Sequence, residues 1–485
     1  MQPNAPGRTA PAAVGAPPAN KWAVLSAVGL GTFLCVLDSS IVNISLPTIT
    51  RELRTDTTTI QWVVMAYLLV ITGLLLSFGR LADLVGRKPV YTVGMAIFTL
   101  GTLACGLAQS VEQLIATRTL QGIGAAMVMA LGPALTASAF PLSERGKALG
   151  INSTIVALGG ISGPVLGGLL QDLLDWRWVF LFRVPFGLLA VLLAWWLLAA
   201  QPGLGRRRFD LLGGALLFVW LAALTLGLNQ GRNLGWDSPA TVGLFAVAVA
   251  GALAFAFVEW RVPEPMLDLR LFRVRLFSAA SASSLLMFMA QFALSLLLPF
   301  YLVQAAGYSP REAGLMILPL PLAMSVVAPL SGTLSDRIGS RALSTAGMAI
   351  ICLGLLWLSR LEATTPYPEV ALRLVLVGAG SGLFGSPNNS ALLSSLPRAM
   401  MGVASGMQAT MRNLGMVVGT AISGAVWTGR MAYHAEELRR AGGLDQATLQ
   451  VQALMGGLQD ALLVSAAICS VGILTSLVRG VHRTD

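Results

Sequence analysis

Charge is scarce in this chain. Only 11% of its 485 residues are Asp, Glu, Lys or Arg, against about 25% in a soluble domain. That shortage excludes a water-facing surface for a protein of this size. Histidine is almost missing, with His434 and His482 alone, so a histidine-based metal or catalytic site is not expected. The four cysteines (Cys35, Cys105, Cys352 and Cys469) sit singly inside apolar runs, which gives neither a disulfide framework nor metal-ligand spacing. No GxxxxGK[ST] phosphate loop occurs, so ATP is not the expected source of energy. No cofactor is expected. An enzyme would need a nucleophile–base pair or a metal cluster, and these residues supply neither.

What is abundant is apolar sequence. Hydrophobic residues make up 55% of the chain and the mean hydropathy is +0.74. Apolar runs of about 20 residues recur, the length that carries a helix across a hydrocarbon core of about 30 Å. Bounded by charge, Pro or Gly, they read as about fourteen transmembrane helices, the last two over 402–428 and 459–479 with an outer loop between. The net charge of +10 would suggest nucleic acid in a soluble protein. Here the basic residues gather in alternate short loops, as the positive-inside rule expects of a multi-pass protein with both termini cytoplasmic.

A short charged segment occurs twice. Gly79, Leu81, Asp83 and Gly86 in the first copy match Gly332, Leu334, Asp336 and Gly339 in the second. The copies follow the second and tenth spans, so both fall on one side of the membrane. The expected organisation is a tail over 1–20, a six-helix bundle over 21–200 and an inserted helix pair over 201–262. A linker over 263–276 and a second bundle over 277–485 complete it. Paired helical halves suit a transporter whose halves rock around a shared site; a channel fits the repeat and the sparse polar residues less well. For the inserted pair the plainer expectation is a scaffold on the bundle's flank.

Asp38 lies about 25 Å along the first span from Lys21 at about 1.5 Å per residue. A carboxylate at that depth is costly unless paired, hydrated or protonated, and desolvation favours its neutral form. It can exchange a proton for a cationic substrate, or serve as a packing hydrogen bond with Asn43, Ser39 or Ser40. Arg118, in the fourth span, is the matching cation, the alternative being an arginine that snorkels to the outer interface. Gly163 and Gly167 form a small-xxx-small pair in the fifth span, where Pro164 bends the helix. Asp83, Arg87 and Lys88, with Asp336 and Arg337, mark loops that orient the bundle and gate its inner side. Trp62, Tyr67, Met127, Met287, Met289, Phe292 and Phe300 are aromatic and Met candidates for a plastic cavity. Polar groups within spans (Asn43, Gln121, Gln291 and Asn388) join Trp62, Met127 and Phe292 as cavity candidates. Trp22, Trp176, Trp178, Trp236 and Trp260 read as an interfacial belt.

Taken in order, these segments resemble the fourteen-helix drug:proton antiporters of the major facilitator superfamily, the EmrB/QacA type. The resemblance rests on Leu37-Asp-Ser-Ser-Ile-Val-Asn-Ile-Ser-Leu-Pro47, the loop from Gly79 to Lys88, Arg118-Thr-Leu-Gln-Gly-Ile-Gly124 and Gly159-Gly-Ile-Ser-Gly-Pro-Val-Leu-Gly-Gly168. Trp176-Arg-Trp-Val-Phe180, Val184-Pro-Phe-Gly187 and Leu267-Asp-Leu-Arg-Leu-Phe-Arg273 extend it through nearly the whole chain. Arg183 departs from it, standing where the family commonly has Asn. The resemblance implies proton coupling at Asp38 and at Arg118 with Gln121 and Gly122. It also implies that Gly159, Gly163, Pro164, Gly167 and Gly168 form an antiporter motif, hence export rather than uptake. The expected partners are small lipophilic, often cationic substrates, protons and the lipid bilayer of the cytoplasmic membrane, with no nucleic acid. A periplasmic adaptor protein stays open as a partner. The alternative is a dedicated exporter of one endogenous metabolite, antibiotic or lipid.

Overall fold

The computed structural model describes residues 20–141, 144–200, 211–262, 265, 269–396 and 401–478; a few side chains inside helices, among them those of Asp83 and Asp336, fall outside the description. All regular structure among the described residues is helical. The first half holds α1 (Lys21–Glu52), α2 (Thr57–Val85), α3 (Arg87–Gly106), α4 (Val111–Ala139) and α5 (Arg145–Leu173), then a sixth span split into α6 (Trp178–Leu181) and α7 (Val184–Leu197). The inserted pair is α8 (Leu211–Leu234) and α9 (Pro239–Arg261). The second half holds α10 (Arg275–Phe300), continued by a π-helical stretch over Tyr301–Ala305, then α11 (Pro310–Met316) and α12 (Pro319–Ile338), which share one span. It ends with α13 (Ser340–Leu358), α14 (Tyr367–Ser394), α15 (Met401–Ala441) and α16 (Gln446–Leu477). Thirteen of these segments are long and apolar enough to cross a membrane. With α15 added, the series agrees with the fourteen spans expected from composition.

Lipid explains the outward faces. Trp196, Leu253 and Val326 are 78%, 68% and 65% exposed, with no hydrophobic driving force to bury them in a bilayer. The belt assignment needs one correction: Trp176 is 1% exposed and packs edge-on to Phe180, because the turn before α6 folds inward.

The face on which α1 begins is called the tail side here, and the opposite face the far side. On the tail side the two copies of the charged segment fold alike. α2 stops at Gly86 with φ 105° and ψ 147°, and α12 stops at Gly339 with φ 84° and ψ 155°. Only glycine tolerates that region without strain. Each glycine N–H closes onto the carbonyl four residues back (Ala82 and Ser335) at 2.9 Å.

On the far side the expected loop between the last two spans is helical instead. α15 runs 41 residues, about 60 Å at about 1.5 Å per residue, and turns back through Gly442 and Gly443, both with positive φ. Arg430 Nε at 2.5 Å and His434 Nε2 at 2.9 Å clasp Asp460 of α16. Charged residues from Arg430 onward lower the hydropathy without interrupting the helix, so apolar length under-reads it.

The halves meet at their far ends. Asn43 of α1 donates to Ser295 Oγ of α10 at 2.9 Å. α5 packs on α11 and α2 on α15. Arg311 stands 3.9 Å from Asp172 across the α5–α11 seam.

Candidate functional site

The site forms inside the first half, where α1, α2, α3, α4 and the α6–α7 corner converge. Two local features of the sequence make that convergence possible. Gly101 lets α3 lie against the backbone of α4, since a Cβ there would stand 2.7 Å from Gln121 Cα. Pro185 lacks an N–H and cannot extend a helix arriving from α6, so the sixth span breaks at Phe182–Arg183 and α7 restarts with Pro185 in its first turn. Arg183 sits at that break and points into the bundle.

Asp38 is fully buried, and its carboxylate is surrounded. Arg118 Nη1 donates to Oδ2 at 2.5 Å, Arg183 Nη1 donates to Oδ1, and Gln121 Nε2 donates to Oδ1 at 2.9 Å. Gln121 also donates to Thr102 Oγ1 at 2.8 Å and accepts from Arg118 at 2.6 Å. The guanidiniums are anchored in turn, Arg118 Nε on the Val63 carbonyl at 2.9 Å and Arg183 Nε on the Val179 carbonyl at 3.0 Å. The Tyr67 ring lies 3.9 Å from the Arg118 guanidinium carbon and the Phe180 ring 5.4 Å from that of Arg183. One acid therefore faces two cations, and the group carries a net positive charge.

This geometry sets aside the alternatives the sequence left open and adds one participant. Asp38 does not pair with Asn43, Ser39 or Ser40: those hydroxyls bond to carbonyls, chiefly of their own helix, and Asn43 crosses to the other half. Desolvation is not left uncompensated, because two guanidiniums offset it. Arg118 does not snorkel, being 1% exposed. Arg183 is the participant whose role sequence reasoning missed. Its signal was available as a cation in place of the family's Asn, but the partner needed the third dimension.

The fifth-span glycines line two different contacts. Gly159, Gly163 and Gly167 lie against Val36, Ser40, Ile41 and Ile44 of α1. Gly168 and Pro164 meet α11 in the other half, where a Cβ on Gly168 would overlap the Pro310 carbonyl and one on Gly314 that of Pro164. α5 thus packs within its half and across the seam at once.

The remaining candidates are dispersed. Trp62 turns away from the interior and donates to Asn229 Oδ1 of α8 at 2.6 Å. Met127 packs on Gly94 of α3, and the Phe300 ring lies tilted against Trp427, centroids 4.7 Å apart. Met287, Gln291, Phe292 and Asn388 lie on α10 and α14 of the second half. Met289 lies against Gly419 of α15. In the tail-side loops Lys88 lies over the Trp195 ring at 5.9 Å and Arg337 is exposed, while the Asp83 and Asp336 side chains fall outside the described set. A cavity of about 410 Å³ opens at the far side between Pro47, Arg51, Gln304, Gln450 and Leu454, lined by none of the Asp38 group.

The chain is similar to known proteins over most of its length. The riboflavin transporter RibZ of Clostridioides difficile is 35% identical over 416 residues, spanning 85% of this chain and 90% of its own. Multidrug resistance protein Stp of Mycobacterium tuberculosis is 38% identical over 403 residues, spanning 83% and 75%. Among solved structures, a bacterial homolog of the human lysosomal transporter Spinster, described as inward-facing and unoccupied, aligns with a TM-score of 0.70 at 16% identity over 95% of this chain and 96% of that one. The pattern of the Major Facilitator Superfamily matches residues 28–420, and the chain belongs to that superfamily of multi-pass membrane transporters.

Proposed function

We infer that this transporter exports lipophilic, often cationic compounds from the cytoplasm in exchange for protons, by alternating access of its two halves. The observation that carries this reading is the buried carboxylate of Asp38 held between Arg118 and Arg183. A proton on Asp38 removes the charge that holds both guanidiniums, so the two protonation states favour different packing of α1 against α4 and α7. The far-side-closed arrangement, in which Asp38 accepts from both guanidiniums, is in this reading the state that follows proton release. With the tail in the cytoplasm, that release is directed inward, as exchange requires. The loops at Gly86 and Gly339, with Arg87, Lys88 and Arg337, form the inner gate in this reading.

The resemblance to drug:proton antiporters and the similarity to a protein named for multidrug resistance support a broad export substrate. The similarity to a protein named for riboflavin transport favours the second reading, a transporter dedicated to one metabolite. Efflux of a lipophilic cationic dye from a host deleted for its own pumps tests both. Efflux that collapses with a protonophore and in Asp38→Asn supports exchange, whereas efflux unchanged by either removes proton coupling. Movement of a single compound from a broad panel selects the dedicated transporter.

A further inference from the structure

The inserted pair covers a seam. α8 lies over the seam between α2 of the first half and α15 of the second. One stripe of α8 makes the contact: Phe218 closes on Gly73 of α2, while Leu217 and Leu221 pack with Leu69 of α2 and Leu414 of α15. Thr225 and Asn229 continue the stripe toward the far side, both 2% exposed or less. Apolar residues alone would seat a scaffold helix in lipid. Asn229 instead bonds repeatedly to α2, accepting from Trp62 Nε1 at 2.6 Å and donating to Gln61 Oε1 at 3.3 Å and to the Thr58 carbonyl at 3.4 Å.

Gln61 is what those bonds aim. It is fully buried, its side-chain oxygen lies against Gly424 of α15 with no room for a Cβ, and its Nε2 has no hydrogen-bond partner. The Gln61 oxygen thus reaches from α2 to the backbone of α15, a contact that lasts only while the seam is closed. We propose that the inserted pair is a strap over the far-side seam, with Asn229 as a positioning residue that keeps the Gln61 carboxamide wedged against Gly424. The proposal rests on the reading that the halves part on the far side during transport, and not on proton coupling.

The test uses the full-length protein in membranes with a reporter cysteine at Ser295, the α10 residue bonded to Asn43. The four native cysteines are buried and give a low background to a membrane-impermeant maleimide added from the far side. Asn229→Ala is expected to speed labelling about fivefold, the scale of losing one weak polar contact across the seam. Gln61→Ala is expected to do the same, and the double variant to be no faster than Gln61→Ala alone, because Asn229 acts through Gln61. Leu221→Ala, which thins the packing but leaves both amides, is expected to label more slowly than Asn229→Ala. Should Asn229→Ala fail to assemble, Gln61→Ala alone decides. Unchanged labelling in the assembled variants, additive acceleration in the double variant, or equal acceleration by Leu221→Ala overturns the proposal. Labelling as expected in a protein without proton coupling leaves the strap standing and removes the coupling instead.

Discussion

α4 and α14 each stand fourth in their half, and each carries an arginine two turns from its far end, Arg118 and Arg373. Their surroundings differ. Arg118 reaches across to an acid on α1 that is as deeply buried as itself. Arg373 pairs with Glu369 on its own helix, a side chain 41% exposed, and donates to the Trp357 carbonyl at 2.9 Å. α10, the counterpart of α1, has no acid at all between Arg275 and Phe300. The repeat thus preserved helix order and the Gly86 and Gly339 turns, but the two arginines ended in different roles. An arginine paired with a solvent-facing acid on its own helix is a structural feature, whereas one that shares a buried acid with a third residue is a group whose charge state matters to packing.

Breaking the acid tests the contrast most severely. Asp38→Asn is expected to abolish pH-gradient-driven efflux and to cost about 3–5 kcal/mol, because two buried guanidiniums lose their compensation. Asp38→Asn/Arg183→Asn is expected to regain much of the thermal stability without regaining efflux, so a scan beside the transport assay separates the two losses.

Next comes the arginine pair itself. Arg118→Ala is expected to stop coupled efflux, while Arg373→Ala, whose acid partner faces solvent, is expected to leave coupling intact. Equal loss of pH-dependent efflux in the two variants would erase the difference drawn here.

A smaller effect is expected from Arg183→Asn. With one cation left on Asp38, the pH profile of efflux should differ from that of the intact group. An unmoved profile would reduce Arg183 to packing.

The mildest contrast lies within α5. Gly168→Ala is expected to lower transport by pushing on the Pro310 carbonyl across the seam. Gly160→Ala, with nothing within 4 Å of its Cβ, should be neutral or stabilise by about 0.5–1 kcal/mol as Ala replaces Gly in a helix. Thermal scans of both variants beside efflux rates check this pair.

Much of this molecule was readable before folding. Asp38 and Arg118 stood out because charge inside an apolar run is costly, so each such residue calls for a reason. The glycine spacing in α5 announced a close helix contact, though not that Gly168 would serve a different neighbour from Gly163. Other features resisted reading because they depend on partners remote in sequence. Arg183 lies 145 positions from Asp38, and no local pattern pairs them. Trp62 looked like a cavity aromatic until its indole N–H found Asn229, 167 positions away. The far-side hairpin of α15 and α16 was missed for a simpler reason: a helix that leaves the bilayer no longer carries a hydropathy signal.

Hydropathy, the paired Gly86 and Gly339 segments and the isolated intramembrane charges were enough to establish a membrane bundle in two related halves, because lipid leaves a polar backbone few ways to be satisfied. Which cation meets Asp38, which face of α5 meets the other half and what the inserted pair spans were settled by packing. Those contacts join residues far apart in the chain, and their energies exist only once several helices share the same few ångströms.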